Sequence, residues 1–376
     1  MSQRIENIAV DMGKSEVKAL RFTDSGEIIK SVNFDSVIQK HLTCPSHYGN
    51  VNPNKYIVKF DGRYYEVGDE LEEGSYSDEN TKLNLHHKLC LLLAVGLLID
   101  DDKPFVNLTV SLPASHIANP REKENFEKMI KEDEEKAISI EINGKEKVFA
   151  ISKITPDSEG LAMMPRLKAA MSKNRYDIAV IDIGGHNFNA RVFNHLGMAK
   201  TGKGMSQEQV GINHLLSKLH EALLEGLEDR NRSITTADLK RFVKERKLDE
   251  DMIVYGFEDN SQEFVDTFVK NYIESNIIRK LSAYKIKVNA KGMMYLFTGG
   301  GSNLLRPYLE EMLEDNMDYI IFSETSKWDN ALSIMINYLF NRFADKKRIF
   351  DTVCKETNSK LNNEDKTLAL VAATVM

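Results

Sequence analysis

The chain has 376 residues, 42% of them hydrophobic and 28% charged, with a net charge of −7. That length supplies two cores of ordinary size, and the acidic balance argues against direct DNA binding or a membrane-gripping face. Cys44, Cys90 and Cys354 lack metal-ligand spacing and are too few for a disulfide scaffold, so a reducing compartment is expected.

In chain order, residues 5–10 and 17–22 read as strands joined by the turn Asp11-Met12-Gly13-Lys14-Ser15. Asp24-Ser25-Gly26 supplies the next turn, and residues from Ser31 to Tyr76 read as a less regular subdomain. Within it Asp61-Gly62 predicts a hairpin between residues 56–60 and 64–67. Lys82–Leu98 reads as a buried helix, and its apolar run Leu89–Ile99 is too short to cross a bilayer. Val106–Leu112 reads as a strand stopped by Pro113, and Pro120–Lys136 as a charged, solvent-facing helix. Ile138–Ile142, Asn143-Gly144 and Val148–Ile151 form a hairpin pattern. The start Met1-Ser2-Gln3-Arg4 carries no secretory apolar segment, which predicts a cytoplasmic protein with no membrane partner.

A second half begins near Tyr176 and echoes the first. The strand Ile178–Ile181 runs into Asp182-Ile183-Gly184-Gly185-His186-Asn187 and then Phe188–Phe193. Helices are expected over 206–225, 235–247, Ser261–Tyr284 and Asn330 to Phe343, with a strand over Met293–Phe297. After that strand comes Thr298-Gly299-Gly300-Gly301-Ser302-Asn303, with Ser302 and Asn303 as helix caps. The apolar end Leu368–Met376 is expected to pack on its own domain, dock on a neighbouring subunit, or fray.

The glycine turns carry the chemistry. Successive backbone amides in a tight turn surround phosphate oxygens, with Met12, Gly13, Lys14 and Ser15 forming one such turn and Lys18 adding positive charge. Asp11 repels phosphate directly, so it is better placed to hold a water of a magnesium ion, with Asp182 as its counterpart. In the second turn Gly184 and Gly185 free the backbone, while His186 and Asn187 offer side-chain donors. Gly299, Gly300 and Gly301 leave room for a base or ribose against the backbone. Each turn alone is equally readable as a structural turn; the pairing of two is what favours phosphate. For orienting an attacking water, Asp157 and its competitor Glu159 lie between the two turns in sequence, and both also fit ordinary surface or capping roles.

This set of turns resembles the actin-like ATPase superfamily, and within it the bacterial and plasmid ParM/StbA-like segregation actins. The phosphate motifs fall on Asp11–Lys18 and Asp182–Asn187 and the adenosine motif on Thr298–Asn303. Leu85–Leu92 resembles the helix after the first subdomain, and Thr155–Ser158 places Asp157 at the family's acidic, water-directing catalytic position. The resemblance spans residues 5 to 342. It implies an α/β, actin-like two-lobed fold with duplicated RNase H-like domains, closing on ATP and Mg²⁺. The lobes would be 1–175, with a small subdomain about 31–80, and 176–342, with a helical subdomain about 206–290. Residues 343–376 would be an extension packing on the second lobe or a neighbouring subunit.

The implied activity is ATP hydrolysis coupled to head-to-tail filaments, with plasmid or other DNA segregated through a DNA-binding adaptor. The same superfamily admits a small-molecule kinase or a chaperone-like switch; no substrate motif announces the first, and the second lacks its usual C-terminal domain. The chain departs from the ParM pattern at Asp157, where glutamate is usual, and at His186-Asn187, where paired threonines are common. A third departure is Asn189, where an acidic residue is frequent.

Overall fold

The computed structural model describes residues 5–45, 55–68, 71, 74–75, 82–100, 104–112, 116–117, 119–131, 137–158, 176–195, 198–229, 231–249, 251–259, 261–288, 292–323 and 325–361. Two compact units emerge. The first takes its described residues from Met1–Arg166 and Asn330–Val371, the second from Leu167–Asp329.

In the first unit, β1 (Ile5–Met12) pairs antiparallel with β2 (Glu16–Phe22), and β2 with β3 (Ile28–Asp35). On its other side β1 pairs parallel with β7 (Phe105–Leu112), which pairs parallel with β9 (Lys145–Ser158). The order is therefore β3-β2-β1-β7-β9. β9 continues into a smaller antiparallel sheet through β8 (Ile138–Ile142), β5 (Lys55–Phe60), β6 (Arg63–Gly68) and β4 (Ile38–His41). Two hairpin turns make this possible: Asp61-Gly62 and Asn143-Gly144 all take positive φ, the backbone that matches strand twist in a two-residue turn.

α1 (Leu85–Leu98) is buried along almost its whole length, including Leu89, Leu91, Leu92, Leu93 and Leu98, each at most 1% exposed. Such a leucine is worth about 1.5–3 kcal/mol of transfer free energy, which outweighs the absence of a polar face. Asn84 caps it by accepting from the His87 N–H. α2 (Pro120–Lys131) is the opposite case, burying only Phe126 and Ile130.

The second unit repeats the scheme. β10 (Asp177–Ile183) pairs antiparallel with β11 (Phe188–Phe193), and β11 with β12 (Ala199–Gln207). β10 also pairs parallel with β13 (Met293–Thr298), and β13 with β14 (Ile320–Phe322). The order β12-β11-β10-β13-β14 is the first unit's five-strand order over again, with the same strand directions. Its helices are α3 (Ile212–Gly226), α4 (Thr236–Glu245), α5 (Ser261–Ile273), α6 (Arg279–Ala283) and α7 (Gly300–Met312). α5 and α6 are joined by a π-helical turn at Glu274–Ile278. Thr235 and Asp238 form a reciprocal capping box that starts α4.

Several elements differ from the sequence expectation. The stretch from Ser31 is not irregular at its start, because β3 completes the main sheet. Residues 206–211 are strand end and turn rather than helix; β12 is an edge strand with only Met205 buried, so it leaves no apolar pattern to read. β9 runs on to Ser158 and takes Asp157 into the sheet; its Pro156 pairs with Val110 of β7 well past Phe149, the last β9 residue paired with β8, where β9 has a neighbour on one side only among the described strands and a missing N–H is tolerated. The final helix α8 (Asp329–Arg342) is followed by α9 (Lys346–Lys360), which the sequence reading did not contain. That part of the extension, expected on the second lobe or a neighbour, lies against β3 of the first unit: Lys360 donates to the Ile28 carbonyl at 2.5 Å. Leu368–Met376, Glu159, Pro113 and residues 132–136 lie outside the described residues.

Candidate functional site

In the first unit, strand register sets Lys18 beside Asp11 and Ser111 beside Asp157, and one step past the last β1–β7 pair the Ser111 side chain joins Asp11, completing a row across β2, β1, β7 and β9. This row lies at the carboxyl ends of the parallel strands, the edge where open α/β sheets bind ligands. Four residues, Gly13 to Glu16, connect Met12 to its partner Val17. Asp11 is 5% exposed; the Ser111 hydroxyl donates to its Oδ1 at 2.7 Å while accepting from the Met12 N–H at 3.1 Å. Gly13, Lys14 and Ser15 are half-buried. Lys18 pairs with Glu16 at 3.2 Å, so part of its charge is already balanced locally.

The second unit gives the matching row Asn189, Asp182 and Thr298, and Ser323 follows the last β13–β14 pair. Again four residues, Gly184 to Asn187, close the turn, here between Ile183 and Phe188. Asp11 therefore corresponds to Asp182, Ser111 to Thr298, and Lys18 to Asn189. The first unit carries a cation where the second carries a neutral amide. Asp182 is 6% exposed, and the Thr298 hydroxyl donates not to it but to Asp329 at 2.6 Å.

The β10–β11 turn is held from behind by the start of α3. Ile212 and Asn213 donate their N–H groups to the carbonyls of Gly184 and Gly185 at 3.0 and 2.8 Å, and Val210 and Gly211 donate to His186 O. Those helix amides are spent on the turn's carbonyls, which turns the peptide planes of the turn outward. The Tyr272 hydroxyl donates to Val210 O at 2.9 Å and Gly211 O at 3.3 Å, and burial pushes its pKa upward. The His186 ring lies 3.4 Å from the Asn213 amide. Asn187 Oδ1 is buried and has no hydrogen-bond partner, an acceptor with capacity to spare.

Gly299, not Ser302 or Asn303, caps α7, which corrects the expected capping roles. Its φ of 85°, and an Asp182 carboxylate oxygen and Ile183 O that stand where a Cβ would go, exclude any side chain. Gly301 and Ser302 are buried, and the Ser302 hydroxyl donates to Thr298 O at 2.5 Å. Gly300 and Asn303 are exposed on the first turn of the helix.

Three polar residues were missed by the sequence reading. The Asn337 amide of α8 donates to Asp157 Oδ2 at 2.8 Å. Lys82 is 3% exposed and donates to Ser111 O at 3.3 Å. His87, 1% exposed, has its pKa lowered to about 3 by burial and then by Lys82, His86 and Lys14. Asn337 and Lys82 act over sequence separations that no local pattern encodes, although a lysine just before an apolar helix is a visible oddity; His87 bonds to the nearby Asn84, and it is its burial that the sequence does not show.

The twice-repeated strand order, with its glycine turn at the same register, is the duplicated RNase H-like topology that the resemblance implied. Residues 9–161 match the family model described as the actin like proteins N terminal domain. A 15-stranded ParM filament from Clostridium botulinum is similar in structure, with a TM-score of 0.68 at 19% identity, covering 90% of this chain and 99% of that one. The fold is that of the actin-like superfamily. The actin-like protein Alp7A has a TM-score of 0.64 at 15% identity, covering 96% of this chain and 100% of that one. An archaeal actin homologue solved in complex with ADP has a TM-score of 0.64 at 13% identity, covering 89% of this chain and 99% of that one. No curated protein matches the sequence. Among the described residues no helix is long and apolar enough to cross a membrane.

Proposed function

We propose that this actin-like chain binds ATP with Mg²⁺, hydrolyses it, and assembles head-to-tail into filaments whose stability follows the bound nucleotide. The observation that carries the reading is the repeated row: a nearly buried aspartate, Asp11 or Asp182, at the strand end behind each four-residue glycine turn. A carboxylate at each strand end suits a hydrated magnesium ion, since the waters of the metal are strong donors and a carboxylate accepts from them. The unpartnered Asn187 Oδ1 is an acceptor, which suits a metal-bound water and leaves the amide nitrogen of the same side chain for a phosphate oxygen.

Asp11 and Asp182 would hold the metal's waters. Gly13, Lys14, Ser15 and Lys18, with Gly184, Gly185, His186 and Asn187, would contact the phosphates. Gly299–Asn303 would lie by the nucleoside. Mg²⁺ when bound supplies charge neutralisation of the phosphates. Asp157 would accept a hydrogen bond from the attacking water and so fix its approach. Among the similar solved structures, a ParM and Alp12 are filaments; repeating one heterologous contact gives a filament when its rotation does not close. The acidic charge fits a filament protein that reaches DNA through a basic adaptor rather than by itself.

Asp11→Ala tests the metal role. Titration with a fluorescent ATP analogue should show a larger affinity loss in Mg²⁺ than in EDTA. Equal losses in both would mean general damage to the turn and would remove Asp11 from the metal site.

A further inference from the structure

Asparagine is a mediocre helix former, and one in mid-helix that turns its amide inward needs a reason. Asn337 does so in α8, placing Nδ2 2.8 Å from Asp157 Oδ2 across 180 positions of sequence. α8 has little freedom to slide. Ile334, Ile336 and Leu339 are at most 1% exposed. The neighbouring Tyr338 hydroxyl donates to Asn7 Oδ1 at 3.0 Å, and the Tyr338 ring meets Phe22 edge-on. Asn7 Oδ1 also accepts from the Asn107 amide at 3.2 Å, which ties the anchor to β1 and β7 at once. The amide at 337 is thus delivered to β9 by a helix fixed on the same sheet.

Asp157 itself stands at the end of the row beside Ser111, whose hydroxyl is bonded to Asp11. From this geometry we infer that Asn337 is a positioning residue for the Asp157 carboxylate. Its amide holds one oxygen and so sets the plane in which the carboxylate meets a water. A neutral donor suits this task. A lysine or arginine in the same place would bring a full positive charge, competing with the metal for the carboxylate and weakening it as a hydrogen-bond acceptor. The inference rests on the ATPase reading proposed above and adds to it a residue that lies outside all three glycine motifs.

The test is a double-mutant cycle on ATP-dependent phosphate release by the full chain, using Asp157→Asn, Asn337→Ala and their combination. Asn337→Leu is included as a variant that keeps the volume and removes the donor. Loss of orientation alone should lower kcat about tenfold for Asn337→Ala and for Asn337→Leu, with KM for ATP within about twofold of the parent. In the Asp157→Asn background the Asn337 change should add less than about twofold, because a residue acting only through that carboxylate has nothing left to position. Equal kcat losses in both backgrounds, or a rise in KM with kcat unchanged, would overturn the inference, as would unaltered kcat in both Asn337 variants. A parent that hydrolyses ATP but is indifferent to Asp157→Asn would remove Asp157 from its role. A parent without ATP-dependent phosphate release would overturn the proposed function, and the positioning role with it.

Discussion

Gly211→Ala should release the β10–β11 turn from α3 without touching any side chain of the turn. Gly211 has φ of −75° and ψ of −172°, a conformation open to every residue, so space alone demands glycine. An added Cβ would press on Gly185 O and lie 2.5 Å from Gly185 C and 2.6 Å from Gly184 O. These are backbone atoms, which cannot swing aside as a flexible side chain would. The start of α3 must therefore move, and the bonds from Ile212 to Gly184 O and from Asn213 to Gly185 O lengthen or break. Overpacking of this kind costs about 1–3 kcal/mol, and two backbone hydrogen bonds contribute about 1 kcal/mol each. Hydrogen exchange read by mass spectrometry on peptides covering 184–187 and 210–214 should accelerate about 10- to 100-fold under local opening. Peptides from α1 should keep their protection. Unchanged exchange at 210–214 would mean that the helix start does not hold the turn, and the account of how its amides are oriented would fail.

Tyr272→Phe removes the hydroxyl that serves Val210 O and Gly211 O. A loss of about 1–2 kcal/mol should appear as faster exchange in the same peptides, smaller than for Gly211→Ala, whereas an equal or absent effect would contradict a buttressing role. His87 supplies a pH dependence. Its folded pKa of about 3 lies below the ordinary 6.5, so the unfolded chain takes up the proton first and the stability held above pH 6.5 is lost as pH falls toward 3. That amounts to about 2 kcal/mol by pH 5, and His87→Gln should flatten the fall in melting temperature between pH 7 and 5. Parallel curves for parent and variant would reject it.

The parts of this protein that were legible in its sequence are those in which local chemistry and tertiary role coincide. Asp11 and Asp182 each end an apolar run shortly before a glycine, and a buried strand that runs into a tight turn has to look like that. The hairpins at Asp61-Gly62 and Asn143-Gly144 were legible for the same reason, since positive φ at both turn positions restricts the residues allowed. β12 was not, because an exposed edge strand containing Gly202 and Gly204 needs no apolar alternation. Ser302 read as a cap because a hydroxyl after glycines fits one; it stands instead in the first turn of the helix, and its hydroxyl reaches back to Thr298 O at the end of β13. Asn337, Tyr272 and Lys82 take their meaning from partners 180, 62 and 29 positions away, and only the folded sheet brings those partners within reach.

The central claim is that nucleotide and metal together govern assembly, and right-angle light scattering of the purified chain tests it most directly. With ATP and Mg²⁺ the scattering should rise above a critical protein concentration and decay as phosphate is released, while protein without nucleotide, or with ATP in EDTA, stays at baseline. Scattering that remains flat under ATP and Mg²⁺ at every protein concentration, while phosphate release continues, would contradict the filament account and leave an ATPase that does not assemble.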